Sequence, residues 1–394
     1  MDRVRFGIIG LGNMGTSYLK MFADGKINGG RVSAICDINP EKLNAAAEIA
    51  PKDALRFESY IDMLDSGAVD VIMIETPHYI HPDIAIEALR RGINVICDKP
   101  AGVYTKQVRE MNEAAERSDA LFGMMFNQRT NCLYRKMREM IAEGEIGELQ
   151  RVSWIITNWF RSQFYYDSGD WRATWTGEGG GVLINQCPHQ IDLISWIVGE
   201  QPKQVNAFCH YGKWHDVEIE DDVTAYFEYE NGATGTFITT TGEAPGTNRL
   251  EISGTRGKLV CEQNKFEAAD GRLVFYKNAC DSMEYSKSSS ASFTPPPCER
   301  IEVEVDGENP QHAGIINNFI RALRGEEELI ASGCSGIMGV DLMNAIELSG
   351  WRGGARVSLP TNEDEYLAEL TERCKTSRRK MGGGIGAIST EGSY

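Results

Sequence analysis

The stretch VRFGIIGLGNMGTSYLKMFADGKINGGRVSAICD, Val4–Asp37, decides the fold. Residues 4–10, VRFGIIG, form a short apolar strand that runs directly into Gly10-Leu11-Gly12-Asn13-Met14-Gly15, and the helical pattern TSYLKMFA follows. RVSAICD then gives a second strand ending on Asp37. A lone G-x-G-x-x-G is weak evidence. Set between a strand and a helix, with an acidic residue about 20 positions on, it is the full dinucleotide fingerprint. Gly10 permits the tight turn, Gly12 lets a pyrophosphate approach the backbone, and Gly15 lets helix and strand pack closely. Asp37 at a strand end accepts hydrogen bonds from adenosine ribose hydroxyls and repels a 2′-phosphate. Ile38 and Asn39 follow it rather than an arginine, so NAD is favoured over NADP. The competing reading is a tight βα turn that binds nothing.

With 394 residues the chain has room for two domains, each with its own core. Its 42% hydrophobic and 25% charged residues are ordinary for a soluble globular protein. Lys and Arg number 40 against 57 Asp and Glu, a net charge of −17. That balance excludes a sequence-independent grip on nucleic acid or on an anionic membrane, either of which needs a basic face. The 10 cysteines include no C-x-x-C pair, and several sit in apolar runs, which fits a reducing cytoplasm better than a disulfide framework. No charged-then-apolar leader precedes Val4, and no apolar run approaches the roughly 18 residues of a membrane span. The expectation is a cytoplasmic protein.

Strand–helix alternation continues after Asp37. DVIMIE, 70–75, is a buried strand closed by Thr76-Pro77-His78; PDIAIEALRRG is a helix, and NVICD the next strand. Ends of parallel strands face the ligand crevice of such a sheet. Thr76, Pro77 and Asp98 therefore line the cofactor, and Lys99 projects where a nicotinamide should lie. His78 and His81 have H-x-x-H spacing but no convincing third ligand, so they read as cofactor-lining or capping groups and no metal is expected. TKQVREMNEAAERS and LFGMMF complete a first domain, 1–126. Asn127-Gln128-Arg129 follows at another crevice-facing strand end, with Gln128 toward the cofactor and Arg129 toward a substrate.

From Glu148 onward the hydrophobic period changes to two. LQRVSWIITNWF, KQVNAFC, DVTAYFEYE, ATGTFITTT, RLEISG, KLVCEQ, RLVFYK and ERIEVEV read as strands, with a hairpin turn at Asn231-Gly232. The fold class is thus α/β: a dinucleotide-binding domain followed by an α+β domain, 127–375, with a large open, mainly antiparallel sheet, then a flexible glycine-rich tail, 376–394. Alternating Val223, Ala225 and Phe227 suggest a sheet face for association into a homodimer or homotetramer. The acidic run Glu218, Glu220, Asp221, Asp222 has no ligand spacing and reads as a solvated edge. Trp159, Phe160, Phe164, Tyr165, Tyr166 and Trp171 crowd around Arg161 and Arg172; they suit sugar faces and their hydroxyls, or equally a core or subunit contact. In GGGVLINQCPHQIDLISWIVG, 179–199, Pro188 suits the first helical position. His189 then lies in the first turn, where the helix dipole favours the neutral, proton-accepting imidazole. The competing role for His189 is a bond to a loop carbonyl.

Taken together, GIIGLGNMG, TPHYIHPDIAIEALRRGINVICDKP, NQR and GGGVLINQCPHQIDL resemble the Gfo/Idh/MocA oxidoreductases, and the resemblance covers most of the chain. It departs from that family's pattern at Asp98, where Glu is usual, and at Asn185, where Asp is usual and an amide cannot supply the charge. The resemblance implies a Rossmann domain joined to an open-sheet domain and NAD(P)-dependent oxidation of a CH–OH group, a ring alcohol in a sugar, glycoside or cyclitol. It places Lys99, His189 and Asn185 in catalysis and Lys99, Arg129, Trp159, Arg172, Asn185 and His189 against the substrate. Two alternatives stand beside it: a glycoside hydrolase that uses bound NAD within each cycle, and a dinucleotide-binding regulator without catalysis, which would have no need of Lys99 and His189.

Overall fold

In the computed structural model, residues 3–169, 171–263 and 271–378 are described. The remainder of the glycine-rich tail lies outside them. The first half builds β1 (Val4–Ile9), β2 (Gly30–Cys36), β3 (Leu55–Phe57), β4 (Val71–Ile74), β5 (Asn94–Cys97) and β6 (Phe122–Met124). They form a six-stranded sheet in the order β3-β2-β1-β4-β5-β6, parallel throughout. Continuous apolar runs such as VIMI in β4 are buried on both faces, as helices packed on either side of a parallel sheet require. The order reverses between β1 and β4. A crevice therefore opens at their carboxyl ends, next to Gly10 and Thr76.

The second half adds β7 (Leu149–Ile156), β8 (Gln204–Tyr211), β9 (Glu220–Glu228), β10 (Thr234–Thr240), β11 (Asn248–Gly254), β12 (Gly257–Gln263), β13 (Gly271–Asn278), β14 (Cys298–Glu302) and β15 (Val357–Ser358). They form a nine-stranded sheet, β14-β13-β12-β11-β7-β10-β9-β8-β15. It is mainly antiparallel, as the period of two predicts; the exception is β7, which pairs β10 in parallel. The hairpin at Asn231-Gly232 joins β9 to β10, with Gly232 at φ 84°. Each strand read from the period is present.

One face of this sheet is covered by the chain's own helices. Ser349, on the helix Gly336–Trp351, accepts the Ala207 N–H of β8 at 2.8 Å. Val223, Ala225 and Phe227, expected to form an association face, are at most 1% exposed and lie on this covered side. The open side carries the neighbouring row instead: Ile155, Ile238, Thr224 and Phe208 stand opposite one another across β7, β10, β9 and β8. Phe208 is 60% exposed there.

The acidic run is also corrected. Glu220 and Asp221 are fully buried rather than at a solvated edge. Glu220 accepts the N–H groups of Gly181 and Leu183, and Asp221 accepts those of Lys213, Trp214 and His215. Both carboxylates organise loop backbone, Asp221 through both oxygens and Glu220 through Oε1.

Late in the chain, the helix Gln311–Leu323 returns to the first sheet. Phe319 packs on Gly123, Ile320 on Gly30, and Asn317 accepts the Asn28 N–H at 2.7 Å. Among the described residues no helix is long and apolar enough to cross a membrane.

Candidate active site

The first wall of the site is the turn after β1. Gly10 sits at φ 95°, and a Cβ there would meet the Glu75 carbonyl oxygen at 2.6 Å. A Cβ on Gly15 would meet the Gly10 carbonyl oxygen at 1.9 Å, so only glycine lets this helix approach its strand. Around Gly12 nothing lies within 4 Å of a built Cβ, and Gly12 caps the helix Asn13–Ala23. Gly12, Asn13 and Met14 thus present a helix N-terminus to open space, the arrangement that binds a phosphate, while Leu11 is buried behind them.

Asp37 accepts the Leu11 N–H at 2.7 Å on one carboxylate oxygen and the Asn39 N–H at 2.8 Å on the other. Each oxygen keeps a lone pair for a ribose hydroxyl. Thr76 Oγ1, at the crevice lip after β4, is buried with no protein partner. An open helix N-terminus, a fixed carboxylate and an orphaned hydroxyl are the donor set a dinucleotide needs, and the residues fit one.

His81 lies behind the crevice, its Nδ1 2.9 Å from the Pro100 carbonyl and its Nε2 2.7 Å from that of Thr76. It braces the loops that follow β4 and β5, including Pro77. His78 reaches the other domain, with Nδ1 3.2 Å from the Glu178 carbonyl and its ring edge-on to Trp171. Burial pushes both imidazoles below their usual pKa. Gln128, expected against the cofactor, is 4% exposed and donates to Gln311 Oε1 at 3.1 Å. Asp98 accepts the Lys99 N–H at 2.7 Å.

Lys99, from the end of β5, and His189, from a helix start in the second domain, lie within electrostatic reach of each other. Lys99 Nζ donates to the backbone carbonyl of Asn185 at 2.8 Å, which spans the two domains. Burial pushes this ammonium below its usual pKa, against the opposing pull of Asp98 and Glu178. Pro188 opens the helix Pro188–Val198, and His189 is its second residue, as the sequence predicts. His189 is buried, edge-on to Phe126, and its Nδ1 has no protein partner, so a bond to a loop carbonyl does not occupy that atom. Burial, with the nearby Lys99 ammonium and the neighbouring His312 imidazole, pushes its pKa well below the usual histidine value. The imidazole is neutral near neutral pH.

The other expected substrate contacts divide. Arg172 donates to the Tyr165 hydroxyl at 2.7 Å and lies over the Tyr165 and Trp171 rings. Asn185 Oδ1 accepts from Tyr165 Oη at 3.3 Å, so Arg172, Tyr165 and Asn185 form one chain leading to Lys99. Trp159 is 3% exposed and packs in the wall beside Arg161.

Arg129 is placed differently from the sequence reading. It is buried in a two-pronged ion pair with Asp192, Nε to Oδ2 at 2.8 Å and Nη2 to Oδ1 at 2.6 Å. Its remaining donors go to Ile330 O and Ser335 Oγ. It holds the His189 helix in place, its side chain 4% exposed.

Two residues of the site were not visible in the sequence. Glu178 is 2% exposed and bonds the Asn185 side chain. Its signal was its position directly before Gly179, Gly180 and Gly181, in a loop otherwise poor in charge. His312 sits edge-on to Tyr18 within electrostatic reach of Asp98, Lys99 and His189. No spacing links it to them.

A dinucleotide turn, a lysine from a strand end and a neutral histidine from a helix start, converging on one crevice, define a nicotinamide-dependent oxidoreductase. Comparison with known proteins agrees. Residues 4–126 match the model described as oxidoreductase family, NAD-binding Rossmann fold, and residues 134–260 match the GFO/IDH/MocA C-terminal domain. The chain belongs to the GFO/IDH/MocA oxidoreductase family.

It is 28% identical over 203 residues to the rhizopine catabolism protein MocA of Rhizobium meliloti, covering 51% of this chain and 59% of that protein. It is 26% identical over 297 residues to the levoglucosan dehydrogenase of Pseudarthrobacter phenanthrenivorans, 66% of this chain and 74% of that one. In three dimensions it resembles the WlbA dehydrogenase of Bordetella pertussis, solved in complex with NADH and UDP-GlcNAcA. The TM-score is 0.73 at 26% identity, over 91% of this chain and all (100%) of that one.

Proposed function

We propose that the protein is an NAD-dependent dehydrogenase that reversibly oxidises a ring hydroxyl of a sugar, glycoside or cyclitol to a ketone. The observation that carries this reading is the Lys99 ammonium bonded to the Asn185 carbonyl of the second domain, within electrostatic reach of the His189 side chain, whose Nδ1 is unpartnered. Leu11, Gly12, Asn13, Gly15, Asp37 and Thr76 hold the cofactor, which when bound supplies the hydride acceptor. Neutral His189 takes the hydroxyl proton. The Lys99 ammonium, with one N–H committed to Asn185 O, keeps two for the same substrate oxygen and stabilises the developing alkoxide. Arg172 and Tyr165 hold the ring beside them. Asp37 sets the preference for NAD, because a 2′-phosphate would face its carboxylate.

Relatives named as dehydrogenases of sugars support this substrate class. The test is a panel of free sugars, glycosides and inositols with NAD, read by NADH absorbance. Turnover of at least one class is expected; inertness across the panel would overturn the reading. We also propose that the open sheet face, with Ile155 and Phe208 exposed, is where subunits associate. Light scattering should report a dimer or tetramer, and a monomer at micromolar concentration would refute that part.

A further inference from the structure

The departure at Asn185 leaves a question of charge. The resemblance leads one to expect a carboxylate four residues before His189, next to the lysine, and this chain has an amide there. The structure supplies a carboxylate one residue further away. Glu178 lies in the turn before the glycine run, 2% exposed. One carboxylate oxygen accepts the Asn185 side-chain N–H and the other accepts the Ala173 N–H at 2.6 Å. Both oxygens act as acceptors, so the ionised form is the one that fits. The Asn185 amide is held in one orientation by three neighbours: Glu178 at its nitrogen, and Tyr165 Oη and Gln186 Nε2 at its oxygen. The backbone carbonyl of the same Asn185 accepts from Lys99 Nζ. Glu178, Asn185 and Lys99 are therefore joined in series through a single residue.

We propose that Glu178 is a positioning residue of the reaction: it takes over, through Asn185, the charge and alignment that an aspartate at 185 would give, and keeps Lys99 in its ammonium form. This inference rests on the dehydrogenase reading of the site. Glu178 itself touches neither the reacting atoms nor the cofactor turn; it acts on the lysine that does.

The charges around Lys99 make the contribution specific. Asp98 from the end of β5 and Glu178 from the glycine loop favour the ammonium. Arg161 from the segment after β7 disfavours it, and Cys187 lies at the start of the His189 helix. His78, His81, His189, His312 and Glu75 also lie within electrostatic reach of Lys99. The four histidines are held below their usual pKa and Glu75 well above its own, so each is biased toward its uncharged form. Asp98 and Glu178 are the carboxyl groups whose pull opposes burial at Lys99. Burial pushes the Glu178 carboxyl above its usual pKa, against the opposing pull of Arg172, the Ala173 N–H, the Asn185 amide and Lys99. The hydrogen bonds that its two oxygens accept are what favour the carboxylate form.

The test removes charge while keeping shape. In Glu178→Gln the Gln Oε1 can still accept the Asn185 side-chain N–H with the Asn185 amide unturned, and what is lost is the charge and the acceptor facing the Ala173 N–H. Competitive trace acetylation of the cofactor-free protein, read by mass spectrometry at Lys99 across pH, gives the Lys99 titration with no turnover required. The Gln variant is expected to titrate about one unit lower than the wild type, as loss of an opposing charge at short range predicts. The alkaline limb of kcat/KM should move in the same direction. Glu178→Gln combined with Asn185→Asp exchanges the two sides of the contact and should return the midpoint toward the wild-type value.

An unchanged Lys99 midpoint in folded Glu178→Gln overturns the proposal. If that single variant does not fold, the exchanged pair decides: a near-wild-type midpoint supports the role of the carboxylate, and a lowered one overturns it. A protein inert on every substrate would refute the dehydrogenase reading, while the labelling would still report on Glu178.

Discussion

Replacing Asp192 with alanine removes half of the most buried ion pair described. The Arg129 and Asp192 side chains are 4% and 1% exposed, and Asp192 takes two of the guanidinium's bonds, at 2.8 and 2.6 Å. Burial pushes the Asp192 carboxyl above its usual pKa while Arg129 pulls it down, so each charge is tolerable only because of the other. Asp192→Ala leaves a guanidinium with bonds only to Ile330 O and Ser335 Oγ and no countercharge on Asp192. Removing one partner of such a pair typically costs about 3–5 kcal/mol. The pair is at the surface of neither domain, so solvent screening does not reduce this. Urea denaturation followed by circular dichroism should show a loss of that size, and NAD-linked turnover should fall because the helix bearing His189 loses its anchor. Arg129→Met with Asp192→Leu, which removes both charges, should recover most of the stability. A loss below about 1 kcal/mol in Asp192→Ala would refute the reasoning, since that is the range of an exposed pair.

Three further outcomes follow from the same geometry. Lys99→Ala should keep the fold and NADH binding by fluorescence while kcat falls on the order of 10²–10³; near wild-type turnover would misplace the active site. NAD should be used clearly better than NADP, a 2′-phosphate against Asp37 costing roughly 2–4 kcal/mol in kcat/KM, and Asp37→Ala should narrow that gap; equal efficiency in the wild type would count against the role of Asp37. His78, His81, His189 and His312 all have depressed folded pKa values, His312 from 6.5 to about 4. At these four groups the unfolded chain therefore binds more protons below about 6.5. Their contribution to stability is full above that pH and declines as pH falls toward 4 and below, while Glu75, Glu178, Asp192, Glu220 and Glu347, with raised pKa values, contribute in the opposite sense. His312→Gln should therefore reduce any fall of the urea midpoint between neutral pH and about 4; an unchanged pH profile in that variant would contradict this.

The parts of the site that were legible in the sequence are those set by local rules. Gly10, Gly12 and Gly15 are fixed by a turn whose geometry belongs to consecutive residues, and Pro188 fixes where the His189 helix begins. Strands with period two, and apolar runs such as VIMI, follow from burial on one face or both. What was not legible depends on residues far apart in the chain. Arg129 looks like a crevice residue until Asp192 is seen beneath it. Glu220 and Asp221 look like surface acids because the amides they accept from belong to the loops near Gly181 and Lys213. Val223, Ala225 and Phe227 show a correct alternation, but the alternation does not say whether helices or a second subunit cover that face. The parallel pairing of β7 with β10 left no mark on either strand.

On the proposed function, Lys99 and His189 serve the net transfer of hydride from a ring alcohol to NAD. The most direct measurement uses the best substrate from the panel, deuterated at the carbon to be oxidised, with NAD in excess. The reduced cofactor and the ketone are then counted together by mass spectrometry. Deuterium is expected in the reduced cofactor, with one cofactor reduced per ketone formed and loss of both in Lys99→Ala. Release of an aglycone with no net reduced cofactor, or a ketone formed without deuterium transfer, would contradict the proposed function.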